Sequence, residues 1–496
     1  MKTLRSLLEA VGITAQGVPN SITIDRICHH SSECTSNSIF FAFRGTHTNG
    51  AYYIKDAVRR GAVCIISEQT ISSHLLESAF SFTVTRAHTV FARMCAALYD
   101  NPQKSLTIIG VSGTDGKSTT CDYTYQLLRM QGVKAGVLTT VSIDDGYVKR
   151  DSPFRQSTPE PDALFAFLHA CVINKLTHVV LECTSHGLSK TFDRLAGINY
   201  KAAIVTKVTS EHLEFHHSLQ EYIEAKINLV RSLEQDGMFI SSTDNTELHL
   251  FEQEMKPGMQ SFILGRDIPL RIEFMGYQGV VVEILGKRIH TPLLLPSLAT
   301  NALLASWCVS KLLNVKALDV VDRIGELEPV KGRMQVIENS LSLRIIIDFA
   351  HTADAYEGIF FFAKRTSEGG DIIAVFGSAG ERDTAKRSAM GKIANRYASS
   401  IILTEEDPRR EGNQTIFNDL KHEMTNPQCQ VWEIESRASA IEKALSIAQS
   451  GDTVLFLGKG HEKSIERENE TIPWDEIEMV RKAVSELERS RGCVLD

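Results

Sequence analysis

Short apolar runs alternate with amphipathic segments along most of the chain. Apolar runs rich in Val, Ile and Leu predict strands, and segments with one apolar face predict helices. The predicted strands are 38–43, 62–67, 106–109, 135–140, 178–183, 202–208, 343–347, 372–376, 400–403 and 453–457. The predicted helices are 54–61, 121–130, 161–174 and 221–229, with further helices between the later strands. This alternation indicates an α/β protein with largely parallel sheets that helices cover on both faces.

The same pattern divides the chain of 496 residues into three predicted domains. Residues 1–102 form a small N-terminal α/β domain that ends at Asn101-Pro102, a plausible linker. Residues 103–333 form a central parallel-sheet domain, and residues 334–496 form a C-terminal Rossmann-like α/β domain. In such sheets, ligands bind beyond the carboxyl ends of the strands, so the polar residues at those ends are the candidates for chemistry.

The clearest candidate lies between the predicted strand 106–109 and the predicted helix 121–130. It reads Gly113-Thr114-Asp115-Gly116-Lys117-Ser118-Thr119. Glycines let successive backbone N–H groups close around phosphate oxygens, Lys117 adds a positive charge, and Ser118 offers a hydroxyl to Mg²⁺. The strand before the loop and the helix after it favour a nucleotide phosphate loop over a plain glycine turn with a solvated lysine.

The composition of the chain argues against several classes of partner. The formal net charge is −8, which argues against a nucleic-acid binder, so local groups must hold an anionic nucleotide. The ten cysteines include no Cys-x-x-Cys pair, which is typical of free thiols in a reducing compartment and argues against zinc. The sequence has no signal peptide and no run of about 18 apolar residues, so we expect a cytoplasmic protein without a membrane partner.

Polar residues follow two further strands of the central domain. Glu182 lies at the end of the strand 178–183, where a carboxylate beside a phosphate loop is a natural Mg²⁺ ligand. The segment 210–217 carries His212, His216 and His217 among carboxylates, and it is either a ligand cluster or an ordinary polar loop. Lys226, in the predicted helix 221–229, reads by itself as a helix-surface residue.

Taken together, the motifs occur in a specific order. They are Gly113 to Thr119, Glu182 to Gly187, Thr206 to His217, Glu224 to Lys226, Lys331 to Met334, Ile347 to Asp354, Phe376 to Asp383 and Gly458 to Glu462. This series, which spans essentially the whole chain, resembles the Mur ligase family. The resemblance implies an ATP- and Mg²⁺-dependent amide ligase of peptidoglycan synthesis. It would phosphorylate the carboxylate of UDP-MurNAc-L-Ala-D-Glu, and the amine of a free diamino acid would then displace phosphate.

The resemblance also implies residue roles. The catalytic residues are Lys117, Lys226 and His212, with Lys226 carried as a carbamate. Ser118 and Glu182 hold one Mg²⁺, and His212 helps to hold a second. The nucleotide contacts are Gly113 to Thr119, Asn301, Arg333, Asp348 and His351. The UDP-dipeptide contacts are Ser31, Ser157, Thr158, Thr184 and Arg194, and the amino-acid contacts are Arg382, Asp407, Arg409, Gly458 and Glu462. We expect a monomer.

The chain departs from the family pattern near the nucleotide and the uracil. Asp115 and Lys207 both stand where Asn is usual, and Glu211 precedes His212 where Asp is usual. His30-Ser31-Ser32 replaces Asp-Ser-Arg, and 295–301 lacks the usual glycine and first asparagine. These changes point to altered affinity for the UDP and adenine groups, while Lys117, Glu182 and Lys226 are retained.

The stretch Glu406-Asp407-Pro408-Arg409 gives a mixed signal about the incoming amino acid. Asp407 favours the distal ammonium of lysine or ornithine, whereas Arg409 suits the distal carboxylate of meso-diaminopimelate. Two other interpretations stay open. One is a ligase with another acceptor, similar to folylpolyglutamate synthase, and the other is a non-catalytic nucleotide-binding regulator.

Overall fold

The computed structural model describes residues 2–45, 48–154, 156–209, 216 and 218–492. The N-terminal segment contains an antiparallel pair, β1 with β2, and a parallel four-stranded sheet of order β3-β4-β5-β6. Its strands are β1 (Lys2–Thr3), β2 (Thr23–Ile24), β3 (Arg26–Cys28), β4 (Ser38–Ala42), β5 (Ala62–Ser67) and β6 (Phe80–Thr83). Its helices are α1 (Leu4–Ala10), α2 (Ile54–Arg59) and α3 (Ala87–Leu98).

The central segment is built on an eight-stranded sheet of order β10-β9-β8-β11-β7-β12-β13-β14. Its strands are β7 (Thr107–Ser112), β8 (Ala135–Leu138), β9 (Ser142–Asp144), β10 (Arg150–Asp151), β11 (His178–Glu182), β12 (Tyr200–Val205), β13 (Leu233–Ser242) and β14 (Gln260–Leu264). A three-stranded antiparallel sheet follows, made of β15 (Leu270–Phe274), β16 (Val280–Ile284) and β17 (Lys287–Thr291). The helices are α4 (Lys117–Met130), α5 (Pro161–Ile173), α6 (Ser185–Leu188), α7 (Leu219–Arg231), α8 (Leu248–Glu252), α9 (Pro296–Leu312) and α10 (Ala317–Val321).

Alternate residues of the central strands point to opposite faces of the sheet. Ile108 and Val179 belong to a core shared with α5, α7 and the N-terminal segment. Ile109 and Val180, the next residues along, belong to a second core shared with α4 and α9. The sheet is therefore buried on both faces, which explains why its strands are almost continuously apolar in sequence.

The C-terminal segment has a six-stranded sheet of order β18-β19-β23-β20-β21-β22, in which only the β18–β19 pair is antiparallel. Its strands are β18 (Gln335–Ile337), β19 (Arg344–Asp348), β20 (Ile372–Phe376), β21 (Ser400–Leu403), β22 (Gln430–Glu433) and β23 (Thr453–Leu457), and β24 (Ser464–Glu466) pairs separately with β25 (Thr471–Pro473). The helices are α11 (Ala353–Thr366), α12 (Ala385–Tyr397), α13 (Asn413–Lys421), α14 (Arg437–Ile447) and α15 (Glu476–Arg491).

Every predicted strand is present, with ends that differ by a few residues. The helix predicted at 121–130 begins earlier, at Lys117, so the end of the glycine loop forms its first turn. The sequence pattern missed β13 and the antiparallel sheet of β15 to β17, whose short strands carry many charged residues. The edge of the central sheet is also antiparallel at β9 and β10. Among the described residues, no helix is long and apolar enough to cross a membrane.

A buried ion pair joins several C-terminal elements at the carboxyl edge of their sheet. Arg437, at the start of α14, and Glu476, at the start of α15, are both fully buried. Arg437 Nε and Nη2 donate to the Glu476 carboxylate at 2.8 and 2.7 Å. Arg437 also donates to the carbonyl of Leu457 at 2.8 Å and to that of Glu405 at 3.1 Å. The guanidinium therefore ties two helices to two strand ends.

We expect Arg437→Met to lower the free energy of unfolding by roughly 3–5 kcal/mol, because it leaves the buried Glu476 carboxylate without its cation. The matched control is Lys287→Met, which breaks the exposed Lys287–Asp322 pair and should cost less than about 1 kcal/mol. Urea unfolding followed by tryptophan fluorescence measures both, since Trp474 donates to Glu476 in the C-terminal segment and Trp307 lies in α9 of the central segment. Equal losses in the two variants would contradict the assignment.

Candidate active site

The predicted phosphate loop connects β7 to α4 and has a shape that requires glycine at two positions. Gly113 has φ +145°, and a Cβ there would lie 1.8 Å from Thr206 Oγ1. Gly116, just before the helix, has φ +84°. Larger residues would be strained at both positions, so the loop brings bare backbone N–H groups and the α4 N-terminus to one concavity.

Backbone and hydroxyl hydrogen bonds hold this loop to the residues beyond β12, the neighbour of β7 in the sheet. The Thr114 N–H donates to Lys207 O at 2.8 Å, and Thr114 Oγ1 donates to Thr209 O at 2.9 Å. Thr206 Oγ1 donates to Asp115 O at 2.6 Å. The loop is thus positioned by two adjacent strand ends before any ligand enters.

Glu182 lies beside the loop because β11 is the other neighbour of β7. Its side chain is 2% exposed, and its Oε2 accepts a hydrogen bond from Ser118 Oγ at 2.8 Å. The structure therefore brings the two predicted Mg²⁺ ligands together. A buried carboxylate and a hydroxyl are hard oxygen donors, and Mg²⁺ commonly uses one or two protein oxygens together with substrate phosphates. Their donor set fits that ion.

Thr140 is a member of this cluster that the sequence interpretation missed. Its N–H and Oγ1 lie 3.3 and 3.2 Å from Glu182 Oε2, and its hydroxyl lies 2.7 Å from Ser157 Oγ. Thr140 follows β8, which neighbours β11 in the sheet. The rule that strand ends carry the chemistry would have found it, once the strand order was known.

Two lysines point at carbonyls of the loop. Lys117 Nζ donates to Thr114 O at 2.6 Å, and Lys226 Nζ donates to Gly113 O at 2.5 Å. Lys226 is 1% exposed and its ammonium lies 4.3 Å from the centre of the Tyr222 ring. Its interpretation as a helix-surface residue is therefore wrong, because α7 turns the face with Tyr222 and Lys226 toward the loop.

The remaining predicted metal ligand, His212, lies outside the described residues, as do Glu211 and His217. His216 is described and is buried, with its ring 5.5 Å from that of Tyr222.

A cavity of about 620 Å³ opens beside the loop, between the central and C-terminal segments. Its volume suits a nucleotide-sized ligand. Six of the predicted nucleotide contacts line it: Asp115, Gly116, Thr119, Asn301, Arg333 and Asp348. Gly113, Thr114, Lys117 and Ser118 belong to the adjoining loop and helix start. His351 lies next to the cavity, with Nδ1 2.9 Å from the carbonyl of Phe349, which is itself a lining residue.

Asp348 sits at the end of β19 in the wall of this cavity. Its carboxylate accepts the N–H groups of Met334 at 2.6 Å and Ala350 at 2.7 Å. Burial raises the pKa of Asp348, and the nearby Arg333 guanidinium opposes that rise. Arg333 itself lies 4.5 Å from the centre of the Phe349 ring. The wall therefore presents a fixed carboxylate and a cation to the ligand.

Asp115 and Lys207, which both stand where Asn is usual, contact the C-terminal segment. Asp115 Oδ2 accepts a hydrogen bond from Thr352 Oγ1 at 2.9 Å, and Lys207 forms an ion pair with Asp354. Thr352 is the N-cap of α11, so both contacts meet the first turn of that helix. Asp115 and Lys207 thus connect the phosphate loop to the opposite wall of the cavity.

Four of the predicted acceptor contacts form one cluster next to Glu182. Thr158 Oγ1 donates to the Glu182 carbonyl at 2.9 Å and accepts the Thr184 N–H at 3.0 Å. Arg194 is 5% exposed and donates to Thr158 O at 2.8 Å. Ser157 joins through its contact with Thr140. The fifth, Ser31, lies on the 3₁₀ turn Ser31–Glu33 of the N-terminal segment.

The predicted amino-acid contacts lie at the carboxyl edge of the C-terminal sheet. Lys459, which the sequence interpretation did not single out, is fully buried and bridges Asp407 Oδ1 at 2.9 Å and Glu462 Oε2 at 2.6 Å. Burial opposes the charge of Lys459, but Glu462 and Asp407 raise its pKa above the ordinary lysine value. Arg409 donates to Glu466 Oε2 at 3.0 Å.

Other contacts extend this group toward the nucleotide. The Gly458 N–H donates to the carbonyl of Asp348 at 3.1 Å, because β23 and β19 are adjacent. Arg382 lies in the loop between β20 and α12, half-buried.

This chain is similar to several known proteins along most of its length. Residues 111–306 match the family description "Mur ligase middle domain", and residues 332–460 match "Mur ligase, glutamate ligase domain". The UDP-N-acetylmuramyl-tripeptide synthetase of Borreliella burgdorferi is 35% identical over 95% of this chain and 94% of its own length. The UDP-N-acetylmuramoyl-L-alanyl-D-glutamate–2,6-diaminopimelate ligase of Caldanaerobacter subterraneus is 30% identical over 98% of this chain and 100% of its own.

A solved structure of a UDP-N-acetylmuramoyl-L-alanyl-D-glutamate–2,6-diaminopimelate ligase superposes with a TM-score of 0.64 at 25% identity. It covers 97% of this chain and 99% of that protein.

Asp115 places a negative charge in the phosphate loop. We expect Asp115→Asn to bind ATP about fivefold more tightly, because the substitution removes a charge of the same sign as the phosphates. The amide can still accept the Thr352 hydrogen bond. Calorimetric titration at two salt concentrations measures this, and the gain should shrink at high salt. The matched control is Asp236→Asn, at an exposed aspartate that pairs with Lys201 outside this cavity, and it should leave ATP binding unchanged. Weaker binding by Asp115→Asn would show that the carboxylate is required.

Proposed function

The chain belongs to the Mur ligase family as an ATP-dependent ligase of peptidoglycan synthesis, and on that premise we propose that it joins a diamino acid to UDP-MurNAc-L-Ala-D-Glu. The single observation that carries the proposal is the position of Glu182. Its carboxylate contacts Ser118 of the phosphate loop, while its carbonyl accepts from Thr158 of the acceptor cluster. The phosphoryl donor and the acceptor carboxylate would therefore meet at one residue.

In the first step, the acceptor carboxylate attacks the γ-phosphorus of ATP, giving an acyl phosphate and ADP. The loop N–H groups and Lys117 neutralise charge on the transferring phosphoryl oxygens. Ser118 and Glu182 would hold Mg²⁺, which when bound screens the phosphate charge. Thr158, Thr184 and Arg194 orient the acceptor so that its carboxylate faces the loop.

In the second step, the amine of the diamino acid attacks the acyl carbon, and phosphate leaves through a tetrahedral intermediate. The C-terminal segment would deliver this amine, because the Gly458 N–H is hydrogen-bonded to Asp348 in the wall of the nucleotide cavity.

We assign the UDP moiety to residues 1–102, through Ser31. The domain limits of 1–102, 103–333 and 334–496 belong to the same proposal. The protein would act in the cytoplasm as a monomer.

The charges around Asp407 bear on the choice of amino acid. Glu406, Asp407, Glu462 and Glu466 supply four carboxylates against three cations, which are Lys459, Arg409 and the predicted contact Arg382. Asp407 already accepts from Lys459 and from the Glu466 N–H at 2.9 Å, so its charge is partly compensated within the protein. Glu406 is 7% exposed. The excess of carboxylates favours a second ammonium, as in lysine or ornithine, and diaminopimelate is the competing substrate.

The test is phosphate release by the purified full chain with ATP, Mg²⁺ and UDP-MurNAc-L-Ala-D-Glu, with lysine, ornithine or meso-diaminopimelate added singly. We expect release that depends strictly on both the UDP-dipeptide and one diamino acid, with lysine or ornithine preferred. ATP binding without phosphate release from any of the three would favour a nucleotide-binding regulator. Release with a folate and glutamate instead would favour the folylpolyglutamate synthase-like alternative.

Lys226 provides a second test. A buried lysine 2.5 Å from a loop carbonyl becomes an oxygen ligand for a cation if CO₂ adds to its amine. We expect Lys226→Ala to lose about 100-fold or more in phosphate release and to regain part of it in formate or acetate. Lys190→Ala, at an exposed lysine, is the control and should keep full activity. Activity that formate and acetate leave unchanged would count against the carbamate.

A further inference from the structure

Two cysteines of the N-terminal segment lie unusually close to each other. Cys28 ends β3 and Cys34 follows the 3₁₀ turn Ser31–Glu33, and their Sγ atoms are 3.2 Å apart. Cys28 is 0% exposed and Cys34 is 5% exposed, and the structure describes both as free thiols. The sequence did not predict this contact, because the two cysteines are six positions apart and lack Cys-x-x-Cys spacing.

Cys28 and Cys34 both belong to a small apolar core, in which their thiols contact each other. Burial raises the pKa of Cys308 to about 12 and raises that of Cys64 further. The hydrogen bond between the two thiols lowers the pKa of Cys34, and the same bond together with burial raises the pKa of Cys28. Cys34 is also the more exposed of the two thiols, at 5% against 0%, so it is the one that a small oxidant reaches first.

A metal site is a poor explanation for this pair. Within the described ranges, no group of three or more His, Cys, Asp or Glu side chains is placed to hold a metal ion, although His29 and His30 lie in the same loop. Two thiols in contact without further ligands are instead the geometry of a dithiol that closes to a disulfide.

We propose that Cys28 and Cys34 are a redox-active dithiol, which a hydroperoxide converts to a disulfide that weakens binding of the UDP-dipeptide. The second half of this inference rests on the proposed function, and the first half does not. In the reaction, the Cys34 thiolate attacks the peroxide and forms a sulfenic acid, releasing hydroxide or an alkoxide. The Cys28 thiol then displaces the sulfenic oxygen as water, which forms the S–S bond and consumes one peroxide per pair.

The loop between the two cysteines connects the disulfide to the acceptor site. It carries Ser31, the predicted acceptor contact, on the 3₁₀ turn Ser31–Glu33. It also carries His29, whose ring lies 5.6 Å from that of Phe91 and 6.2 Å from that of Phe43. A disulfide requires an S–S distance of about 2.05 Å, so the two sulfurs approach each other when the bond forms. In our proposal, the turn that holds Ser31 moves with them.

A series of aromatic contacts connects the loop between the two cysteines to the acceptor cluster. Phe43 stacks on His88 with ring centres 4.0 Å apart, and Phe192 lies against both His88 and His186. His186 belongs to α6, the helix that Thr184 caps. A shift of the loop therefore acts on the wall that holds the dipeptide.

The first experiment is peptide mapping of the full-length protein after hydrogen peroxide and then denaturation in the presence of an alkylating agent, because both thiols are buried in the folded protein. Trypsin releases residues 27–44 as one peptide whose only cysteines are Cys28 and Cys34. We expect this peptide to carry two alkyl groups before oxidation, to be two hydrogens lighter and unalkylated after it, and to recover with a dithiol reductant. The change should be absent from Cys34→Ala and present in Cys64→Ala, the matched control. Two alkyl groups after peroxide, or a sulfinic acid on Cys34 without a crosslink, would overturn the proposal.

The second experiment measures the affinity for UDP-MurNAc-L-Ala-D-Glu by calorimetry, without ATP. We expect oxidation to weaken binding by wild type about tenfold, since a displacement of about 1 Å in a contact is costly. Oxidised Cys34→Ala should bind as reduced wild type does. A disulfide that leaves the affinity unchanged would overturn the coupling to the acceptor site. If reduced wild type binds no UDP-dipeptide, the proposed function fails, while the mapping result for the dithiol stands.

Discussion

The structure depends on one constraint, which is that adjacent parallel strands all end at the same edge of their sheet. β7 lies between β11 and β12, so the glycine loop, Glu182 and the residues after β12 are forced together. Loop carbonyls and hydroxyls then find partners on those neighbours, such as Thr206 with Asp115 at 2.6 Å. The phosphate concavity is preorganised by the sheet, so binding need not order it.

Burial on both faces is what keeps these strand ends in register. Ile108 and Ile109 enter different cores, so a slip of one residue along β7 would exchange every side chain between the α5–α7 side and the α4–α9 side. The first of these cores also includes residues of the N-terminal segment. The two cores share the strands of one sheet, so that sheet fixes the predicted acceptor side and the phosphate side relative to each other.

Individual buried ion pairs, and not the net charge, set the electrostatics of this protein. The chain has a net charge of −8, yet its buried cations each meet a specific carboxylate or carbonyl: Arg437 with Glu476, Lys459 with Asp407 and Glu462, and Lys226 with Gly113. Removing one partner from such a pair leaves an unpaired charge in the low-dielectric interior. These pairs therefore fix the positions of the elements that carry them more than they add net stability.

The sequence by itself determined the α/β class, the strands that its apolar runs mark, the phosphate loop and the family of motifs, because each rests on local periodicity or on a short contiguous stretch. Only the tertiary structure decided which of those stretches meet. It buried Lys226, which read as a surface residue, brought Thr140 and Lys459 into the clusters, and placed Asp115 against the C-terminal segment. It also paired Cys28 with Cys34. These contacts depend on strand order and loop path, which hydrophobic periodicity along the chain does not encode.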